Sequence, residues 1–158
     1  RVDFGIDLFK DLVLEIAPQQ PFYATYKNFF FTHGGVHPEF WETKKITKKS
    51  MESVFLYGQV DNSKTVMWKG QPYAHRVYDW AEAIPKGQIV FVGHDRSPLS
   101  PEPNFEDNLK MPLVYYTKKE ERVIFLDTGS GKGGTLSGAR MTFNNYNQLG
   151  IETFLSFT

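Results

Sequence analysis

Apolar residues in this chain gather into short continuous runs, and three of the runs end in the same way. Phe29-Phe30-Phe31-Thr32 leads into His33-Gly34-Gly35, Ile89-Val90-Phe91-Val92 into Gly93-His94-Asp95-Arg96, and Val123-Ile124-Phe125-Leu126 into Asp127-Thr128-Gly129. A short β-rich run closed by glycine predicts a buried strand entering a tight loop. Strands that all terminate in His or Asp predict one site at one edge of a sheet, where binding groups of open α/β folds collect.

The remaining pattern fills in around these strands. Phe9, Leu12, Val13 and Ile16 follow the i, i+3, i+4, i+7 spacing of an amphipathic helix that Pro18 ends. Pro38 to Ser50, with Lys44, Lys45, Lys48 and Lys49, predicts a solvated, partly helical excursion. Val54 to Tyr57 and Thr65 to Trp68 read as short strands around the turn Asp61-Asn62-Ser63, and Val77 to Ala83 as a short helix ending at Pro85. The proline-rich stretch Ser97 to Pro112 reads as a long irregular loop, which in a compact domain is functional or disordered. Leu113 to Tyr116 and Val123 to Leu126 flank Lys118-Lys119-Glu120-Glu121 as a hairpin without the usual turn glycine. Thr135 to Met141 and Ile151 to Phe157 read as two more strands joined through Asn144-Asn145-Tyr146-Asn147. Strands outnumber helices, so the sheet is expected to be mixed, in an α/β domain spanning residues 1–158.

Composition narrows the chemistry. The chain has 158 residues, enough for a sizeable core, and is rich in aromatics at 16%, mostly Phe. Its formal net charge is zero, which removes bulk attraction to nucleic acid or anionic membranes as a driving force. With no cysteine, thiolate zinc sites, disulfides and cysteine nucleophiles are excluded. Any metal must be held by His, carboxylate, amide or water, which favours Mn, Fe, Mg or Zn. No run approaches the roughly 20 apolar residues of a membrane helix, and no signal peptide is visible, so a cytoplasmic location without membrane partners is expected.

Within the three strand ends, His33 and His94 are the candidate metal ligands, since neutral imidazole is the commonest side-chain ligand. Each could equally be a strand-end histidine satisfied by a carbonyl. Gly34 and Gly35 would let the backbone approach an ion or phosphate without interference from a Cβ atom. His37 reads as a loop histidine. Arg96 could grip a phosphate through its bidentate fork, or pair with Asp95 or a loop carboxylate. Arg76 and Lys132 are further phosphate candidates, with a solvated surface charge as the plain alternative. Asp127 reads as a structural carboxylate that orients a neighbouring group. The stretch Gly129-Ser130-Gly131-Lys132-Gly133-Gly134 fails the phosphate-loop pattern, because Lys132 is followed by Gly133 and Leu126 stands where the first glycine belongs. A glycine-rich rim with Gly133 and Gly134 remains.

Taken in order, His33-Gly34-Gly35 with Pro38, Tyr78-Asp79-Trp80, Gly93-His94 and Asp127-Thr128-Gly129 leading to Gly133-Gly134 resemble the C-terminal half of the calcineurin-like metallophosphoesterases. The likeness is to the bacterial and phage branch, which includes serine/threonine-phosphatase-like, diadenosine-tetraphosphatase-like and polynucleotide kinase-phosphatase-like enzymes. It spans about Phe9 to Leu136. The resemblance implies a sandwich of two mixed sheets flanked by helices, of which this chain is the C-terminal part, with a dinuclear metal site, most often Mn, at the strand ends. It implies that His33 and His94 ligate one metal and that the substrate is a phosphorylated protein, a dinucleoside polyphosphate or a polynucleotide end.

Two departures stand out. Asp95 occupies the place where many members have Thr. The family's Asp-x-His, Gly-Asp-x-x-Asp-Arg-Gly and Gly-Asn-His-Asp/Glu motifs, which supply most ligands, do not occur here. The expectation is therefore a metal-dependent phosphoesterase whose remaining ligands lie in an N-terminal portion of the same protein, this chain alone being inactive. A non-catalytic binding or regulatory domain on the same scaffold is the alternative.

Overall fold

The three apolar runs lie side by side. The computed structural model describes residues 21–68, 71–94, 111–128, 130, 134–143 and 149–157. Along the chain run β1 (Tyr23–Tyr26), β2 (Phe29–Thr32), α1 (Pro38–Thr43), α2 (Lys49–Tyr57), β3 (Val60–Trp68), β4 (Gln71–Arg76) and a 3₁₀ turn (Asp79–Ala83). They are followed by β5 (Ile89–Val92), β6 (Leu113–Tyr116), β7 (Arg122–Phe125), β8 (Leu136–Phe143) and β9 (Leu149–Phe157). β2, β5 and β7 are parallel, and antiparallel β1 and β6 close the edges of a five-stranded mixed sheet of order β1-β2-β5-β7-β6. The whole is a strand-rich α/β arrangement with two further two-stranded sheets, β3–β4 and β8–β9.

The pleat explains why the central runs are apolar at every position. Phe30, Val90, Val92, Val123 and Phe125 join Val36, Phe40, Met51, Phe55 and Trp80 in one core under the helices. Phe29, Ile89, Phe91 and Ile124 point the other way and pack with Phe31, Ala139, Met141, Ile151 and Phe154, so the β8–β9 hairpin covers the second face. Strands covered on both sides read as continuous hydrophobic runs. The phenylalanine excess has a structural use here. Phe31 and Phe91, opposite one another in the parallel register, stack at 5.0 Å and 17°, a pairing worth about 0.5–1.5 kcal/mol beyond area burial.

Several sequence expectations change. Val54 to Tyr57 is the end of helix α2, not a strand, because Met51, Val54 and Phe55 are buried at helical spacing and Gly58 (φ 79°) stops the helix. Asp61-Asn62-Ser63 does not reverse the chain. It lies inside β3 at a register shift, where Asp61 Oδ1 accepts from Ser63 N at 3.0 Å and Ser63 Oγ at 2.6 Å, while the β3–β4 ladder closes at Trp68 and Gln71.

The Pro38 to Ser50 segment is less solvated than its lysines imply. Phe40 is buried, and Lys48 Nζ donates to both oxygens of Glu39 (2.9 and 3.0 Å), which holds that carboxyl below the ordinary carboxylate range. His37 is the N-cap of α1, its Nδ1 accepting from Glu39 N at 3.3 Å. The short helix near Trp80 is 3₁₀ and begins at Asp79. The β6–β7 hairpin forms as expected, with Glu120 taking the left-handed conformation (φ 66°) in place of a glycine.

The amphipathic segment from Phe9 to Ile16, nearly all of the loop from Ser97 to Pro112 and the Asn144 to Asn147 link lie outside the described residues. Among the described residues no helix is long and apolar enough to cross a membrane.

Candidate functional site

Because β2, β5 and β7 run parallel, their C-terminal ends meet at one edge of the sheet. Thr32 sits opposite Val92, and Val92 opposite Phe125. One step beyond the ladder, the carbonyl of His33 accepts from both Gly93 N (2.9 Å) and His94 N (2.7 Å). These two bonds tie the strand ends together and bring the imidazoles to a centroid separation of 4.8 Å, inclined by 49°. Gly93 leaves the space open: a Cβ there would already sit at van der Waals distance, 3.5 Å, from His33 Nδ1. His33 is exposed and His94 half-buried, so the pair faces outward. The ring of Tyr57, at the end of α2, stands edge-to-face to His94 at 6.4 Å.

Thr32 and the glycine pair hold this edge to α2. Thr32 Oγ1 lies within donating distance of Gly35 O (3.0 Å) and Phe55 O (3.2 Å), and Gly34 N donates to Phe55 O at 2.6 Å. Both glycines are buried, and the protein itself fills the space left by their missing Cβ atoms. A Cβ on Gly34 would meet the backbone of Leu56, Tyr57 and Gly58, and one on Gly35 would lie 3.3 Å from the Trp80 indole. The pair is therefore a packing joint, not an opening through which a ligand approaches the backbone. Replacing Thr32 by Val, which keeps the shape and removes the donor, is expected to destabilise the fold by about 1–2 kcal/mol, measured by denaturant unfolding with an unchanged m-value.

Arg76 is engaged at the same joint. Its guanidinium donates from Nη1 to the Tyr57 carbonyl, where a cation also suits the negative end of the helix. Asp127 reaches the same sheet edge, since Leu126 N donates to Val92 O at 2.8 Å and extends the β5–β7 ladder by one residue. It does not complete a ligand cluster: among the described residues no group of three His, Cys, Asp or Glu side chains could hold a metal ion. Buried Thr128 bonds through Oγ1 to Thr135 O and, at 3.1 Å, to Ser137 Oγ, which donates to Leu126 O at 2.6 Å. These bonds tie Thr128 and Leu126 to the start of β8, and Gly134 just before it is half-buried. Arg96, Lys132 and Gly133 lie outside the described residues.

Two imidazoles 4.8 Å apart at one sheet edge are ligands of a kind that suits Zn or Fe, whereas the harder Mn calls for oxygen donors beside them. Among the described residues the two imidazoles have no third His, Cys, Asp or Glu with which to form a metal-holding group. The residues that sequence reasoning passed over are Thr32 and Tyr57, and only recognising α2 as a helix could have placed Tyr57 beside His94. Compared with protein-family models, with curated proteins and with solved structures, the chain matches none.

Proposed function

We propose that this chain is the histidine-bearing part of a metal-dependent, cytoplasmic phosphoesterase, with the phosphoesterase sandwich as its finer architecture. The observation that carries the reading is the convergence of His33 and His94, 4.8 Å apart, at the ends of adjacent parallel strands. His33 and His94 would hold the ion through neutral ring nitrogens, and the shared contact of Gly93 N and His94 N with the His33 carbonyl ties together the two strand ends that carry them. A bound divalent ion supplies Lewis acidity towards the phosphoryl oxygens and a water acidified towards neutral pH. Arg96 and Lys132 are the chain's cationic candidates for neutralising phosphate charge. The resemblance assigns the remaining ligands to an N-terminal portion of the same protein, and with it the dinuclear character of the site.

The test is hydrolysis of an aryl phosphate by the protein extended to include that N-terminal portion. Turnover is expected to need Mn, to vanish with a chelator and to return when Mn is restored, while the isolated 158-residue chain turns over weakly or not at all. Robust turnover by the isolated chain would mean that other residues build the site. Absence of metal-dependent turnover in the extended protein would favour a binding domain that keeps the scaffold without the chemistry.

A further inference from the structure

We infer that Tyr57 is a stacking platform that selects phosphate esters carrying a planar aromatic group. The inference rests on the phosphoesterase reading of the His33–His94 pair and gives that site a substrate class. Among the described residues Tyr57 is the exposed aromatic side chain beside the pair: its residue is 59% exposed, and its ring lies 6.4 Å from that of His94 at 74°. The other exposed aromatics (Tyr26, Tyr73, Tyr116 and Phe157) stand on β1, β4, β6 and β9.

Covering the exposed Tyr57 ring removes apolar surface from water, which is favourable, so at the rim of a polar site it is positioned to receive something flat. The backbone beneath Tyr57 is fixed from three sides. Gly58 N donates to Val54 O at 2.9 Å, Gly34 packs against the Tyr57 amide at a distance that admits no Cβ, and the Arg76 guanidinium donates to the Tyr57 carbonyl. The ring thus sits on a rigid base with only its own side-chain torsions to settle, which keeps the ordering penalty of stacking small. Its ring packs edge-to-face against that of His94, so a ligand whose phosphoryl group reaches the imidazoles carries its next group towards the exposed phenol. An aliphatic ester such as phosphoserine offers that ring no π-face. A phenyl or nucleoside ester offers one, and aromatic pairs prefer offset or edge-to-face packing at such distances.

The experiment uses phosphonates, whose carbon–phosphorus bond is inert to this hydrolysis, so binding is read without turnover. Phenylphosphonate, cyclohexylphosphonate and methylphosphonate are titrated calorimetrically into the extended protein loaded with Mn. Phenylphosphonate is expected to bind about two- to tenfold more tightly than methylphosphonate and more tightly than its cyclohexyl counterpart. Tyr57→Ala should bring the phenyl, cyclohexyl and methyl affinities together, and Tyr57→Phe should keep them apart. Equal affinities in the unmodified protein, or a preference that survives Tyr57→Ala, would overturn the platform and leave the phosphoesterase reading standing. Failure of all three phosphonates to bind would overturn both.

Discussion

Replacing His33 or His94 by Ala is expected, on the proposed phosphoesterase reading, to lower aryl phosphate hydrolysis by the metal-loaded, extended protein about a hundredfold or more. Altering a group that merely orients a ligand already costs 10- to 100-fold in affinity or activity, and loss of the ligand itself removes a bond to the ion. Folding should barely register the change, because His33 is exposed and His94 half-buried at a sheet edge, outside both cores. The informative result is thus a split: rate collapses while the melting temperature moves by no more than a few degrees. Raising the Mn concentration should recover part of the rate in each single variant, since one imidazole is left. A variant at either position that keeps full rate at limiting Mn would remove that histidine from the ligand set.

The largest stability effect belongs to Gly34. An alanine Cβ at this position would lie 2.2 Å from Gly58 N, 2.5 Å from Tyr57 N and 2.7 Å from the Leu56 carbonyl carbon. All three are backbone atoms, so no side chain can rotate away, and the last turn of α2 must move. That movement also strains the Gly34–Phe55 bond and both Thr32 contacts. Gly34→Ala is expected to destabilise the fold by about 3 kcal/mol or more, seen as a melting temperature lower by about 6 °C or more. Gly35→Ala is the control. Its Cβ meets only the edge of the Trp80 ring at 3.3–3.5 Å, a contact that a small indole shift relieves, so the expected loss is about 1 kcal/mol. Equal losses at the two positions would show that the joint with α2 is looser than its geometry indicates.

The contrast between these glycines marks where the sequence was legible. Phe29 to Phe31, Ile89 to Val92 and Val123 to Leu126 announce themselves as doubly covered strands, because every position is apolar and each run is closed within two residues by a His, Gly or Asp. His33 and His94 could be paired for the same reason, since parallel neighbours deliver their ends to a common edge. The function of Gly34-Gly35 was less legible. A glycine admits any close neighbour, and whether that neighbour is a phosphate or the end of a helix depends on a tertiary contact some twenty residues along the chain. Val54-Phe55-Leu56-Tyr57 illustrates the other difficulty. Four apolar residues in a row, three of them β-prone, look like a strand in isolation, and only the spacing from Met51 reveals the helix that carries Tyr57 to the site. Glu120 shows the limit of turn rules: the β6–β7 hairpin bonds of Thr117 N to Glu121 O and of Glu120 N to Thr117 O hold a non-glycine residue in a left-handed conformation.

The parallel pairing at the centre of the sheet also sets an order of events during folding. β1 with β2, β6 with β7 and β8 with β9 each close over a short stretch of chain and can zip early, on the microsecond scale of hairpin formation. β2 meets β5 only by closing the long loop that holds both helices and the β3–β4 ribbon, so this pairing is expected to come late. The His33–His94 pair is created by that one long-range event. In a refolding experiment the imidazole pair should therefore appear with the slow phase, after most of the hairpin signal has developed. Until then the chain holds two separate histidines with nothing to bring their rings together.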